Sequence, residues 1–407
     1  MKKLLTWALA LTLMCGTVAT FTGCGADRSE QLKIYAPGEY ISPEVKDAFE
    51  TWYEDQTGNP IEVVEDNFDT VEEIMTQIEM DRADYDLALP SDYYVERMID
   101  KGLLLETGID VTDIVKPEYI EQSRVSDPEM KYSVPYMYGT FGIMYDYSKT
   151  GEHITSWQAI FAGGDYEKKS STKASVREAY TSALIYNARD ALSAASDGFT
   201  DYGADYQAAL QALYSDVSEA SVAAARTTLE AQRSYIVKWD EEDVKFSMAG
   251  GNSDIEVALM WSCDAGYVMN DYEDDNGEEH TGNRNLWYVI PEEGGNIYMD
   301  CFVIPKYAAN VDAARMFLQF ICMKDNAILS SEWAGAISPV SEAYDELYAQ
   351  YTAEAAEAPA EQKDWYDMYL DMLFPGAETR ARCGIMRDYG DDESRVITMF
   401  NDVCPVA

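Results

Sequence analysis

The stretch from residue 84 to 106, DYDLALPSDYYVERMIDKGLLLE, constrains this chain's fold more than any other. An apolar run, DLALP, stops at Pro90. Ser91, Asp92 and two tyrosines follow, and then a helical spacing puts Val95, Met98 and Ile99 on one face. Short apolar run, polar break and helix is how a buried parallel strand passes to its crossover helix. The same alternation precedes it. Residues 32–35 read as a strand. Residues 44–56 read as a helix with Val45, Phe49, Trp52 and Tyr53 inward and Gly58 suited to its C-terminal cap. Residues 61–64 read as a second strand. A helix beginning at Asp69 or Thr70 then runs to about Asp81 with Val71, Ile74, Met75 and Ile78 inward. A β-α-β-α-β-α series over 32–105 predicts a mostly parallel sheet in an α/β fold. In such open sheets ligands bind beyond the carboxyl ends of the strands, where Ser91 and Tyr93 stand.

The later chain is read more coarsely. Residues 133–145, SVPYMYGTFGIMY, carry no helical period and are extended. A helix starts at 155–157. Residues 175–233 are alanine-rich and helical, with breaks near SDGFTDYGAD. A strand is expected at 235–239, a short helix at 241–248, a buried strand at 256–262 and a further strand at 287–290. Residues 298–305 are extended, 311–323 form an amphipathic helix, 333–339 a loop, and helices follow. The acidic run at 270–285 reads as a solvated loop, because DYEDDNGEE does not hold its carboxylates in the register of a calcium loop. A chain of 407 residues predicts two domains. Its net charge of -44 repels phosphates and so excludes nucleic acid as a partner. That charge permits a cationic ligand, although solubility accounts for most of these carboxylates.

The first residues are MKK, an apolar run LLTWALALTLMCGTVATF and then TGCG, the layout of a secretory signal. FTGC resembles the lipobox of bacterial lipoproteins, with Phe21 where leucine is usual. The resemblance implies removal of residues 1–23, acylation of Cys24, and a tether over 24–31. The protein would then be held to the outer face of a membrane by acyl chains rather than by a span. Among the remaining cysteines, Cys263, Cys301 and Cys322 lie in apolar runs and read as buried thiols. A Cys383–Cys404 bridge is open to an exported chain. The only two histidines, His153 and His280, stand in polar surroundings, and G-x-S-x-G and H-E-x-x-H are absent. No metal site, cofactor or catalysis is therefore expected.

Six segments together carry a broader likeness: IYAPGEYISP, DLALPSDYYVERM, YSVPYMYGTFGIMYD, VREAY, ALMWS and PEEGGNIYMDCFVIP. With them the chain resembles the type II periplasmic binding proteins, and within these the spermidine/putrescine-binding proteins of bacterial ABC importers. The resemblance implies two α/β lobes, 32–138 with 302–340 and 139–301 with 341–407. They would be joined mainly by crossovers at 138–143 and 299–304, with ligand held in the cleft between them. It further implies a monomer that hands a polyamine, putrescine or spermidine, to an ABC permease.

The same resemblance implies a ligand set of Glu39, Tyr40, Ser91, Tyr93, Glu178, Trp261, Tyr298 and Asp300. The chemistry is coherent. A polyamine is an apolar chain bearing ammonium groups; aromatic faces cover its methylenes and attract its cations, and carboxylates grip its ends. Three positions depart from the pattern. Pro37 stands for a tryptophan, Ser175 for an aspartate and Ala336 for a tyrosine, with Asp264 as a substitute for the lost acid. These changes also suit another small cationic or zwitterionic amine on the same fold. Read without the resemblance, Asp300 between Met299 and Cys301 is costly unless paired. Trp261 suits the core as well as a ligand, Glu178 could serve its helix start, and Glu39 could be a solvated acid. Adjacent Tyr93 and Tyr94 would point apart, one to the cleft and one to the core.

Overall fold

The structure, a computed structural model, describes residues 28–38, 40–68, 71–80, 84–240, 243–251, 253–273 and 279–404. The signal, Cys24, most of the tether and Glu39 lie outside the described residues. Thirteen strands occur among them: β1 (Gln31–Pro37), β2 (Glu62–Phe68), β3 (Leu87–Ala88), β4 (Leu104–Leu105), β5 (Ser133–Asp146), β6 (Ser170–Lys173), β7 (Lys238–Asp240), β8 (Val257–Trp261), β9 (Tyr272–Glu273), β10 (Glu279–His280), β11 (Leu286–Val289), β12 (Gly295–Pro305) and β13 (Cys383–Gly384).

The main sheet runs β2-β1-β3-β12-β5-β8-β6-β7, with β11 added to β5, and β4 and β13 to β12. Its two ends are parallel. β1 pairs β2 from Gln31↔Glu62 to Pro37↔Phe68 and pairs β3 on its other side, as the opening alternation requires. At the far end β6 lies parallel to both β7 and β8. Between them stand the two long strands β5 and β12, antiparallel to one another. The amino end of β5 and the carboxyl end of β12 lie beside β3, while their opposite ends meet β8, β11 and β13. Every residue of β5 is buried, which explains why its sequence shows no alternation.

Helices cover these strands by their apolar stripes. Pro43–Thr57 buries Val45 and Phe49 and ends at Gly58 in the left-handed region, φ 74°. Phe49 meets Phe317 edge-on at 5.0 Å, which docks Val311–Ile321 on the same face.

Some boundaries differ from expectation. The helix Glu219–Tyr235 continues through the start of the expected strand, because Ile236 N still donates to the Gln232 carbonyl, and the strand begins at Lys238. Trp333 belongs to the helix Lys324–Ala334, which Gly335 closes at φ 63°, so the loop is shorter than expected. Within the acidic run β9 and β10 pair, Glu273 opposite Glu279. The Cys383–Cys404 bridge does not form, and Cys383 Sγ instead donates to the Thr379 carbonyl at 3.3 Å. Cys301 and Cys322 are buried as expected, whereas Cys263 is only half-buried. His153 is exposed, hydrogen-bonds the Tyr145 hydroxyl at 2.9 Å and also stacks on Tyr147 at 4.7 Å.

Candidate functional site

The site begins with a local irregularity in β12. Along this strand Tyr298 and Asp300 are half-buried while Met299 and Cys301 are buried, so the two share one face by the period of two. A bulge between Asp300 and Cys301 shifts the register against β5, and such bulges re-aim the side chain they carry. The backbone of Cys301 then donates to Pro90, and Asp300 bridges to Ser91 just beyond β3. Ser91 precedes the helix Asp92–Asp100 but makes no side-chain cap there. Its hydroxyl instead donates to Asp300 Oδ1 at 2.7 Å, and the Tyr40 hydroxyl donates to Oδ2 at 2.9 Å. Burial pushes the Asp300 carboxyl up to about 6; these two bonds oppose the rise, and nearby Glu178 adds to it. Burial also keeps the Tyr40 and Tyr298 phenols far above their usual value, so both stay protonated donors.

Tyr298 lies flat across β5 because residue 139 is glycine. A Cβ there would come within 2.2 Å of the Tyr298 hydroxyl oxygen. That hydroxyl also contacts Cys263 Sγ at 3.3 Å, two residues beyond Trp261 at the end of β8. The Trp261 indole Nε1 donates to Glu178 Oε1 at 3.1 Å, and the Ser175 hydroxyl donates to Glu178 Oε2. Glu178 is therefore fixed from both sides. Its place three residues after the N-cap Ser175 is that of a capping glutamate, but both its oxygens point to side chains instead.

Two expected contributors are drawn elsewhere. Asp264 does not stand in for a lost acid, because Lys245 holds one oxygen at 2.6 Å and Lys173 the other at 2.9 Å. Burial would raise its carboxyl, yet the two lysines overcome this and hold it below the ordinary range. Tyr93 and Tyr94 do not point apart. Their ring centroids are 4.6 Å from one another, since adjacent helical residues diverge by only about 100°. Arg177 lies 4.1 Å from the Tyr93 ring and 3.7 Å from that of Tyr389, so the chain's own guanidinium occupies the Tyr93 face. Arg177 begins a seam of buried charge. It pairs with Glu393, which also receives Arg97; Arg97 pairs with Asp388, and Arg387 with Glu96. A hollow of about 440 Å³ beside this seam is lined by Glu96, Gln211, Arg387 and Asp388, and by none of the expected ligand residues.

The structure thus brings together Tyr40, Ser91, Asp300 and Tyr298, and joins Trp261 to Glu178, while Tyr93 is covered and Glu39 is not described. No lysine or arginine among the described residues pairs with Asp300 or Glu178, although neighbouring acids are neutralised. Sequence reasoning missed Lys173, Cys263 and Gly139. A lysine at the exit of a strand, two residues before an N-cap, was the one signal for Lys173.

Two parallel half-sheets joined through long antiparallel strands, with buried acids and rings at the junction, make a type II periplasmic binding fold. Residues 45–360 match the family of bacterial extracellular solute-binding proteins, and the chain belongs to that family. Among its relatives is the putrescine-binding periplasmic protein of Escherichia coli, 27% identical over 337 residues, or 80% of each chain. A putrescine/cadaverine-binding protein of Pseudomonas aeruginosa is 23% identical over 98% of this chain and 97% of its own. Of solved structures, the spermidine/putrescine ABC transporter substrate-binding protein of Streptococcus pneumoniae superposes with a TM-score of 0.64 at 23% identity. That match covers 92% of this chain and 98% of the other. Among the described residues no helix is long and apolar enough to cross a membrane, and no group of three His, Cys, Asp or Glu is placed to hold a metal.

Proposed function

We propose that this protein is the lipid-anchored receptor of an ABC importer and captures a polyamine, putrescine or spermidine, between its two lobes for delivery to a membrane permease. One observation carries the reading. Half-buried Asp300 and buried Glu178 are acids that no lysine or arginine among the described residues pairs, whereas neighbouring Asp264, Glu393 and Asp388 are each paired. An uncompensated carboxylate in such a place is costly, and a bound ammonium removes the cost. Tyr40 and Tyr298 supply the aromatic walls, each face worth about 0.5 to 2 kcal/mol to a cation, while Trp261 holds Glu178 in place. Names of the relatives support the ligand class. Acylation of Cys24 would hold the receptor, as a monomer, beside its permease. Nothing in this role requires a cofactor, a metal or a chemical step.

Calorimetric titration of the mature protein with putrescine and with spermidine tests the ligand. Saturable heat with at least one is expected, and no heat with either removes the polyamine assignment while leaving the family intact. Replacing Cys24 by serine tests the anchor, since the protein should then leave the membrane fraction.

A further inference from the structure

Lys173 is a deeply buried cation at the edge of the site. It ends β6, two residues before the N-cap that precedes Glu178, and is 1% exposed. Its ammonium stands 4.3 Å from the Trp261 ring and 2.9 Å from Asp264 Oδ2. An ammonium over an indole face with a carboxylate on its other side is the arrangement in which a bound amine would itself be held. The chain has built one half of that arrangement from its own residues. Cys263 connects it to the rest of the site, because its thiol touches Tyr298 and lies in the fields of both Asp264 and Asp300.

We propose that Lys173 is a built-in ammonium that fills one end of the amine site and so restricts the ligand to diamines. The inference rests on the amine-capture reading given above and deepens it. Charge and space agree. Asp264 is already neutralised by Lys173 and Lys245, so of the acids expected at the site only Asp300 and Glu178 remain for external cations. A diamine brings two ammoniums to two carboxylates. A triamine brings a third, which would meet the Lys173 ammonium on the Trp261 face and find no acid there. A buried, unmatched ammonium beside a like charge is strongly disfavoured.

Competitive titration of the full mature chain with putrescine, cadaverine and spermidine is the test. The protein should bind putrescine or cadaverine at least tenfold more tightly than spermidine. Lys173→Met keeps the apolar stem, and Asp264 keeps Lys245, so that variant should shift the spermidine-to-putrescine affinity ratio at least tenfold towards spermidine. Lys173→Arg keeps the charge and should hold the ratio near that of the parent. Spermidine bound as tightly as putrescine by the unmodified protein overturns the inference, even if the methionine variant does not fold. So does a Lys173→Met ratio within twofold of the parent. In both cases the amine-capture reading survives. Only the absence of binding by all three amines removes that reading, and this inference with it.

Discussion

Two groups of acids withdrawn from solvent stand in this molecule, and they are treated in opposite ways. In the seam, Glu393, Asp388 and Glu96 each meet an arginine, and Arg177 is also sandwiched between Tyr93 and Tyr389. Around β12, Asp300 and Glu178 meet only hydroxyls and an indole. Both groups use the same ingredients of carboxylate, tyrosine and tryptophan. The difference is who supplies the cation. Where the chain supplies it, the carboxylates are ion-paired; where it does not, we propose that a ligand supplies it. Aromatic and acidic residues alone therefore do not separate the two groups; on the proposed reading their cation partners do.

The comparison breaks most visibly at Arg177. Arg177→Met strips Glu393 of one of its two arginines and leaves part of that charge buried without a partner. We expect a loss of about 3 kcal/mol of stability in urea unfolding of the ligand-free protein. A loss below about 1 kcal/mol would mean the seam is not structural.

The mirror experiment is Asp300→Asn, which keeps the shape and an acceptor for one of the two hydroxyls, Ser91 or Tyr40, and turns the other oxygen into an amide donor. Removal of a carboxylate that no cation compensates should leave ligand-free stability unchanged or raised at pH 7.5. Amine affinity should fall by at least about 2 kcal/mol, roughly thirtyfold, because a buried ammonium loses its partner. Unchanged affinity in calorimetry would remove Asp300 from the site.

How much of this was legible follows from the kind of signal each residue leaves. Asp300 could be found because a carboxylate between Met299 and Cys301 breaks an apolar run, and the strand period ties Tyr298 to it. The opening β-α alternation was legible for the same reason: periodicity is local. Tyr93 and Asp264 were not legible as residues withheld from a ligand. Their fate is set by Arg177 and Lys173, and Asp264's also by Lys245, all brought to them by other segments, and no spacing encodes that meeting. The length of the helix ending at Tyr235 was missed because its last turn resembles a strand in residue type while its hydrogen bond to Gln232 decides the outcome.

Gly139 sharpens the comparison from the backbone side. Gly139→Ala would put a methyl group 2.2 Å from the Tyr298 hydroxyl oxygen and 2.5 Å from its ring carbon. Tyr298 must swing away, and overpacking of this kind costs about 1–3 kcal/mol. Amine affinity should fall by an amount in that range, with the seam unaffected. A crystal structure of the variant with Tyr298 unmoved would contradict this.

Proton linkage gives a smaller effect with a defined sign. In the ligand-free protein burial pushes Asp300 up to about 6 from an ordinary value of 3.8. A bound ammonium favours the carboxylate, so the value must drop in the complex. Affinity should be flat above about pH 7 and weaken as pH falls through 6, approaching tenfold per pH unit. Burial and the nearby Asp300 also push up Asp92, and burial pushes up Glu72 beside Glu178. The control is therefore Asp300→Asn, in which the slope near pH 6 should disappear. A slope that persists there assigns the proton to Asp92 or Glu72.

The smallest effect is expected at Ser175, and its size tests the comparison most finely. Its hydroxyl donates to Glu178 Oε2 while Trp261 holds Oε1. If Glu178 were a structural acid like Glu393, loss of a neutral partner would matter mainly to the fold, as a weakened helix start. If Glu178 is kept uncompensated for a ligand, Ser175→Ala changes only how firmly the carboxylate is aimed. One neutral donor to a carboxylate contributes about 0.5–1.5 kcal/mol. The expected result is a few-fold loss of amine affinity with unfolding stability altered by less than about 0.5 kcal/mol. The reverse pattern, stability lost and affinity kept, would move Glu178 to the structural side of the comparison.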